Sequence, residues 1–401
     1  MPQMRNGTKR KHLRLQKVRE SANTLILMKA AIYLHVPFCI KACPYCIFYK
    51  EPYDVDREND YISAVCKEIS AYKSYFPNLR ASSLFIGGGT PNILTLKNLN
   101  RLLEKLHDAF QLSPSIEQTM EINPDHVTKP KMKTVRNAGI NRISIGSQSF
   151  NRQDLAFLGR THKPQKTVET VTLLRDLGFD NINLDLIFGL KHQTEKTLRE
   201  TLTEIISIDP EHISTYALSI EKGSEFYDQQ IQKMDPDTER SHFKAIRDQF
   251  SGSGYHQYEV SNFSKAGRAC QHNMAYWDFS PYIGLGPGAH SFFKECRYDQ
   301  PANLTSYIQN PIPEPLISQS FPIQPQRERK IDFIMSRFRL LETGLDIEEY
   351  NALFKGNFEE EYKTSLSKLS TLKLILQSKG NVRVTDDGLY LLDEILLDFI
   401  D

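Results

Sequence analysis

The sequence has almost no net charge, no long apolar run and few cysteines. Fifty Lys and Arg stand against 49 Asp and Glu, which disfavours binding of nucleic acid or membranes through overall charge. No apolar run approaches the roughly 18–20 residues that span a bilayer, so we expect no transmembrane segment. Six cysteines in 401 residues are too few for a secreted disulfide scaffold. The composition predicts a globular protein of two or three domains.

Acidic residues are nearly absent from the N-terminal segment, where Glu20 is the single acid among several Lys and Arg before the first predicted strand. A basic, acid-poor leader can be an organellar transit peptide. Alternatively, translation begins at Met28, where the organised sequence starts. We favour this second interpretation, because the apolar run that begins at Asn23 is too short for a signal peptide.

Strand-like runs then alternate with segments of helical periodicity, and this alternation predicts parallel βα units. Six such units can form an open barrel or a doubly wound sheet, and periodicity does not distinguish these two folds. The predicted strands are Ala31–Val36, Ser83–Gly87, Gln118–Asn123, Arg142–Ser147, Asn181–Phe188 and His212–Ile220. The predicted helices are Glu58–Tyr75, Leu96–Phe110, Lys129–Ala138, Gln165–Leu177 and Lys196–Ile208.

The pattern changes after about residue 222. A helix is predicted over Pro236–Ser251, followed by a region rich in Gly, Tyr and His up to His290. The Pro-rich segment Pro301–Pro325 has the composition of a linker. Helical periodicity from Gln326 onward, with a short strand signal at Val382–Thr385, predicts a small helical or winged-helix-like domain.

Cys39, Cys43 and Cys46 lie directly after the first predicted strand and suit a compact loop around one metal centre. A structural zinc site would need a fourth ligand, and a redox dithiol would leave the third cysteine unused. Three cysteines on an iron–sulfur cubane leave one iron without a protein ligand, and a small molecule can chelate that iron.

The spacing Cys-x3-Cys-x2-Cys after the first strand of a βα repeat resembles the radical S-adenosylmethionine (SAM) superfamily. The resemblance implies a partial (β/α)6 barrel, with a 4Fe–4S cluster on the three cysteines and SAM on the open iron. It also implies that the reduced cluster cleaves SAM to methionine and a 5′-deoxyadenosyl radical.

Polar or glycine residues follow the other predicted strands, at the end where βα barrels carry their active sites. Each of them alone has an ordinary structural explanation, such as a turn, a cap or a solvated charge. Together with the cysteine loop they resemble the anaerobic coproporphyrinogen oxidase (HemN) and HemW group, over roughly residues 31–400. They are Gly88, Gly89, Thr90, Glu121, Gln148, Arg160 and Asp185.

The resemblance implies a role in SAM binding for each of these residues, and also for Tyr33 and Tyr45. Tyr33 contacts SAM, Tyr45 packs beside the adenine, and Gly88, Gly89 and Thr90 face the methionine end. In the same pattern Glu121 accepts from the SAM amino group and Arg160 pairs with the carboxylate. Gln148 and Asp185 bond the ribose hydroxyls.

Two features separate the branches of the group. Oxidases of the HemN type carry a fourth cysteine two positions after the third, where this chain has Phe48. The string from His272 to Trp277 resembles the haem-associated H-N-x-x-Y-W motif of the HemW branch. We therefore predict haem contact by His272, Tyr276 and Trp277, against the alternative that His272 is a hydrogen-bonded structural histidine. His290 is a second candidate ligand.

The chain departs from the HemW pattern at two places. Ile47 follows the last cysteine of the cluster motif, where Asp is common in the branch. Residues 190–194 read Leu-Lys-His-Gln-Thr, where Leu-Pro-Gly-Gln-Thr is usual. Neither departure touches a predicted iron ligand.

We predict four segments: a basic extension over 1–29, a radical SAM core over 30–222, a family-specific extension over 223–312 and a C-terminal helical domain over 313–401. The resemblance implies a haem chaperone that binds a 4Fe–4S cluster, SAM and haem and delivers haem to an acceptor protein. An oxygen-independent coproporphyrinogen III oxidase is the alternative. A reductant such as flavodoxin or ferredoxin is expected as a partner, and the oxygen-labile cluster favours the cytoplasm.

Overall fold

A computed structural model describes residues 28–378 and 380–400 of the chain. The predicted basic extension lies outside the described residues except for Met28 and Lys29, which begin the first strand. No helix in the described part is both long and apolar enough to cross a bilayer.

Six parallel strands follow one another in the sheet in their chain order, each beside its predecessor in the βα series. A doubly wound sheet would reverse this order at a switch point, so the structure selects the open barrel. The barrel strands are β1 (Met28–Val36), β4 (Leu79–Gly88), β5 (Gln118–Ile122), β6 (Arg142–Gln148), β7 (Ile182–Phe188) and β8 (His212–Ala217), and the short pair between β1 and β4 is β2 (Phe38–Cys39) and β3 (Glu51–Pro52).

Helices cover the outer face of the barrel. Side-chain caps fix the N-termini of four of them, as where Asp54 accepts from the amides of Asp56 and Arg57, and the other two begin with a proline in the first turn. The helices are α1 (Val55–Tyr75), α2 (Leu96–Phe110), α3 (Lys129–Asn137), α4 (Arg152–Phe157), α5 (Pro164–Asp176) and α6 (Glu195–Ile208).

The two faces of each barrel strand differ in chemistry, because successive side chains point to opposite sides of the sheet. In β6, Ile143 and Ile145 belong to the apolar core under the helices, whereas Arg142 and Ser144 face the barrel interior. The side of β6 that faces the barrel interior is therefore polar, whereas Phe85 of β4 gives the same interior an apolar surface.

The segment 223–312 adds strands to both edges of the same sheet. β10 pairs with β8, and β11 runs parallel to β1 on the other edge. The added elements are α7 (Glu225–Asp228), α8 (Pro236–Ser251), β9 (His256–Glu259), β10 (Asn262–Ser264), α9 (Gln271–Trp277), β11 (Tyr282–Leu285), β12 (His290–Phe293) and β13 (Cys296–Asp299).

The linker prediction for the Pro-rich segment was wrong. Two short helices form within it, α10 (Leu304–Gln309) and α11 (Glu314–Ile317), and both pack against α1. Tyr307 donates to the buried carboxylate of Glu68 at 2.6 Å. The many prolines mask the helical spacing of apolar residues in the sequence. Those apolar residues pack into the main core.

The C-terminal region forms a second apolar core of mainly helical elements around a three-stranded sheet of order β14-β16-β15. The predicted α/β barrel with a small helical, winged-helix-like region is thus confirmed. Its elements are α12 (Gln326–Arg337), β14 (Leu345–Asp346), α13 (Ile347–Phe354), α14 (Phe358–Glu361), α15 (Lys363–Thr371), β15 (Ile375–Ser378), β16 (Asn381–Val384), α16 (Asp386–Leu389) and α17 (Leu392–Leu397).

Candidate functional site

A cavity of about 660 Å³ opens at the carboxyl ends of the barrel strands. This is the end at which loops of βα barrels assemble active sites. All the residues predicted for the cluster and for SAM line this one cavity, although they come from six separate stretches of chain.

The cysteine loop is closed at its base by the parallel pairing of β2 with β3. The amide of Glu51 donates to the carbonyl of Pro37 at 2.7 Å, and the amide of Tyr53 donates to that of Cys39 at 3.0 Å. Cys39, Cys43 and Cys46 all carry free thiols, are half-buried and face the cavity. The loop therefore presents three thiols to one space from a fixed base.

The glycine run after β4 packs tightly against this loop. A Cβ on Gly89 would lie 2.5 Å from the carbonyl oxygen of Phe38 and 3.0 Å from the Sγ of Cys39, which leaves no room for a side chain. Thr90 donates its hydroxyl toward the Sγ of Cys39 at 3.6 Å. Burial raises the pKa of the Cys39 and Cys46 thiols, so ligand binding at these sulfurs must release protons.

The donor set suits a cubane better than one ion. Within residues 28–378 and 380–400, no three His, Cys, Asp or Glu side chains are placed to hold a single metal ion, as the zinc alternative would need. A cubane takes one thiolate on each of three irons, so its sulfurs surround the cluster and do not converge on one point. The three half-buried thiols around the cavity fit that requirement.

Two carboxylates lie deeper in the cavity. Glu121 accepts from the amide of Gly88 at 3.1 Å, and Asp185 accepts from Asn183 at 2.7 Å. Burial, with the neighbouring charge of Asp185, raises the pKa of Glu121 to about 8, and burial also raises the pKa of Asp185. Such a pocket favours a cationic ligand group that would restore the ionised form of Glu121.

Arg160 brings the opposite charge to the cluster side of the cavity. Its guanidinium donates to the carbonyl of Gly146 at 2.7 Å and approaches the Sγ of Cys43 at 3.6 Å. These contacts leave other N–H groups for a ligand, since guanidinium has five donors. Tyr45 lies beside Arg160 in the wall and has Phe226 near its ring, at 6.5 Å between ring centroids.

Gln148 has an unusual backbone conformation at the edge of the cavity. Gln148 ends β6 with a φ of 63°, a left-handed conformation that is uncommon outside glycine and recurs at functional sites.

The hydroxyl of Tyr33 forms a hydrogen bond of 3.0 Å with the Nδ1 of His35, and the Nε2 of His35 lies 2.8 Å from the carbonyl of Tyr49. This chain of contacts connects the strand β1 to the end of the cysteine loop.

Several cavity residues were missed from the sequence. Period-two alternation from Gln148 and Asp185 would have found those on β6 and β7, whereas β8 and the cysteine loop offered no identified neighbour of this kind. The missed residues are Arg142, Ser144, Asn183, Ser214 and Tyr216, together with Lys41 and Lys50 on the cysteine loop.

The H-N-x-x-Y-W string forms α9 under the barrel, and His272 is bonded on both ring nitrogens. Nδ1 lies 2.9 Å from the hydroxyl of Ser83, and Nε2 lies 3.0 Å from the hydroxyl of Tyr276. His272 is 1% exposed, and burial lowers its pKa to about 3, so the ring is neutral. His272 and Tyr276 line the cavity floor, but the histidine has the contacts of the structural alternative.

Trp277 and His290 are not brought to the cavity. The indole of Trp277 lies against the guanidinium of Arg339, which is 5.2 Å from the ring centroid, on the side toward the C-terminal domain. His290 is exposed at the start of β12. The structure thus does not form the continuous Tyr–Trp face that the motif suggests for a porphyrin.

The fold and the site define a radical SAM protein. Residues 33–205 match the family model described as the radical SAM superfamily, and residues 325–391 match that of the HemN C-terminal domain. Membership of the superfamily implies a 4Fe–4S cluster and SAM, which the three thiols and the charged groups of the cavity fit.

The relatives narrow this class. The chain is 32% identical to the heme chaperone HemW of Bacillus subtilis, over 91% of this chain and 95% of that protein. It is 31% identical to heme chaperone HemW of Escherichia coli, over 91% and 97%. The chain belongs to the HemW family. Its fold is also similar to that of coproporphyrinogen III oxidase (HemN) from Escherichia coli, with a TM-score of 0.80, 20% identity and coverage of 96% and 93%.

Proposed function

We propose that this protein is a haem chaperone that holds a 4Fe–4S cluster and SAM, binds haem and passes it to an acceptor protein. The observation that carries the proposal is the similarity to heme chaperones along nearly the whole chain. Phe48 adds support, because it stands where the resemblance implies a fourth cysteine in oxidases of the HemN type.

Two charged cavity residues match the two opposite charges at the methionine end of SAM. SAM is a zwitterion at its methionine end, and Arg160 and Glu121 offer a cation and a carboxylate within the same cavity. We assign the SAM carboxylate to Arg160 and the ammonium group to Glu121, beside Gly88, Gly89 and Thr90. The cluster and SAM, when bound, supply low-potential electron transfer and radical formation.

The remaining residues orient the nucleoside. Gln148 and Asp185 are assigned to the ribose hydroxyls, since an amide and a carboxylate both accept hydrogen bonds. Tyr45 is assigned to the adenine, whose flat ring can pack on the phenol, and Tyr33 supports the inner side of the site from β1. Cys39, Cys43 and Cys46 are assigned to the three irons.

The affinity for SAM is expected to depend on pH through Glu121. Its pKa of about 8 in the free protein must fall when an ammonium group binds, so binding below pH 8 releases a proton. The dissociation constant for SAM should therefore fall several-fold from pH 6.5 to 7.5, and it should rise again above about pH 8, where the α-amino group of SAM loses its own proton. Isothermal titration calorimetry of cluster-loaded protein measures this slope.

The control for this prediction is Glu121→Gln, which keeps the shape and removes the titration. It should bind SAM more weakly at pH 8 and show no slope below that pH. An unchanged slope in this variant would assign the titration to another group and contradict the pairing of Glu121 with ammonium.

The proposed function is tested on the anaerobically reconstituted full-length chain. We expect a Soret band on addition of haem and transfer of that haem to a haem-free acceptor such as apomyoglobin. We expect no conversion of coproporphyrinogen III to protoporphyrinogen IX with SAM and reductant. Stoichiometric conversion would identify the protein as the alternative oxidase, and absence of haem binding would overturn the proposal.

The cellular setting follows from the same chemistry. Half-buried free thiols that must carry a cluster favour a reducing compartment such as the cytoplasm. An electron donor such as flavodoxin or ferredoxin and a haem-acceptor protein complete the proposed set of partners.

A further inference from the structure

The mouth of the cavity carries an exposed apolar surface that the cluster and SAM assignments do not use. Ile47 and Phe48 are 53% and 67% exposed, and we call these two residues the apolar rim. Ile47 and Phe48 also line the cavity. Large apolar side chains grouped on a loop at a cavity mouth are typical of a binding surface.

The loop that bears the apolar rim is fixed in place. Its base is closed by β2 and β3, and the amide of Phe226 donates to the carbonyl of Pro44 at 2.9 Å. The exposed side chains therefore project from an anchored loop, and a ligand that covers them loses little entropy in ordering it.

Two lysines flank the apolar rim. Lys50 donates from Nζ to the carbonyl of Cys46 at 2.6 Å and to that of Phe48 at 3.3 Å, which leaves one of three ammonium protons for an anion. Lys41 is exposed beside Ile40, and it has no ion pair in the described part of the chain. Both ammonium-bearing side chains line the cavity.

We propose that haem docks on the apolar rim, with one face of the ring on Ile47 and Phe48 and the propionates toward Lys41 and Lys50. The inference rests on the proposed haem chaperone function and names its ligand site. The argument is complementarity: haem is a flat apolar ring with two carboxylates on one edge, and the rim is an apolar surface flanked by two cations.

The motif on α9 is the competing site, and its geometry is less suited. The Nε2 of His272 would have to leave the hydroxyl of Tyr276 before it could bind iron. Trp277 lies outside the cavity, so the motif offers no open apolar face of porphyrin size. The apolar rim needs no such rearrangement, because its side chains are already exposed.

The test is haem titration of cluster-loaded protein, in which the cysteines are occupied and cannot themselves bind haem iron. The double variant Ile47→Ser with Phe48→Ser should raise the dissociation constant for haem at least tenfold. Leu372→Ser is the matched control, since Leu372 is 56% exposed on the C-terminal domain, and it should leave the constant unchanged. Iron per chain is measured in each sample so that equal loading is compared.

The lysines are tested with a second probe. Lys41→Glu should weaken the binding of haem several-fold and leave the binding of haem dimethyl ester, whose propionates are uncharged, unaffected. If the double variant loads less iron than wild type, the single variants Ile47→Ser and Lys41→Glu replace it as the test of the docking site. Equal weakening of both probes by Lys41→Glu would overturn the propionate assignment.

The outcomes separate the inference from the proposed function. No haem binding by wild type would overturn both. Haem binding by wild type that the rim variants leave unchanged would overturn the docking site and leave the chaperone proposal standing. Binding lost in His272→Ala but retained in the rim variants would place haem at α9 and overturn the inference in the same way.

Discussion

Replacing Cys43 by Ser is expected to lower the iron content of reconstituted protein from about four atoms per chain to less than about one. A hydroxyl is a poor ligand for iron, and only two thiols would remain on the loop. Cys39→Ser and Cys46→Ser should give the same result, because each thiol is assigned to a different iron. Colorimetric iron and sulfide analysis, together with the charge-transfer absorbance of the cluster, measures the loss.

The chain provides its own controls for this experiment. Cys66, Cys270 and Cys296 are also free thiols, but they are buried away from the loop. Cys66→Ser and Cys296→Ser should retain the full iron content. Iron that persists in Cys43→Ser, or that disappears equally in Cys296→Ser, would contradict the assignment of the cluster to the loop.

Replacing Arg160 by Ala is expected to raise the dissociation constant for SAM about 100-fold, since truncating one partner of a buried charge pair costs about 2–5 kcal/mol. The guanidinium is held by the carbonyl of Gly146 and lies within the cavity, so its charge is poorly screened. Equilibrium dialysis of cluster-loaded protein with labelled SAM measures the change.

Two further arginine substitutions serve as comparisons for the loss of SAM affinity in Arg160→Ala. Arg160→Lys should give an intermediate loss, because an ammonium group keeps the charge but not the planar set of donors. Arg152→Ala is the matched control, since Arg152 is exposed on α4 and should leave the affinity unchanged. Full affinity in Arg160→Ala would move the SAM carboxylate to another residue. Iron analysis distinguishes loss of SAM from loss of the cluster, because Arg160 also approaches Cys43.

The barrel strands and the cavity residues at their ends were predictable, because both depend on local patterns. Apolar runs predict β1 and β7, and the cysteine spacing predicts the loop without reference to distant residues. The choice between a barrel and a doubly wound sheet depends on the order of strands, which no local period encodes. The family resemblance supplied that information, and the strand order confirmed it.

Two features were not predicted from the sequence, because they depend on contacts between residues that are far apart in the chain. The Pro-rich segment packs on α1 because Leu304 and Tyr307 find buried partners there, and the prolines give no sign of this. His272 was offered as a ligand on its motif, whereas its two hydrogen bonds reach Ser83 and Tyr276. The hydrogen bond to Ser83 forms because β4 lies beside α9 in the fold, and this proximity is not apparent from the sequence.

The helix α9 closes the barrel at the end opposite the cysteines. Glu117 accepts from the amides of Gln271 and His272 at 3.1 and 3.2 Å, and thus holds the start of the helix in place. Within this helix His272 is buried and forms part of the cavity floor, whereas the exposed Ile47 and Phe48 stand at the cysteine loop. A ligand seated across Ile47 and Phe48 would cover the nucleotide beneath it, so bound haem should slow the dissociation of SAM.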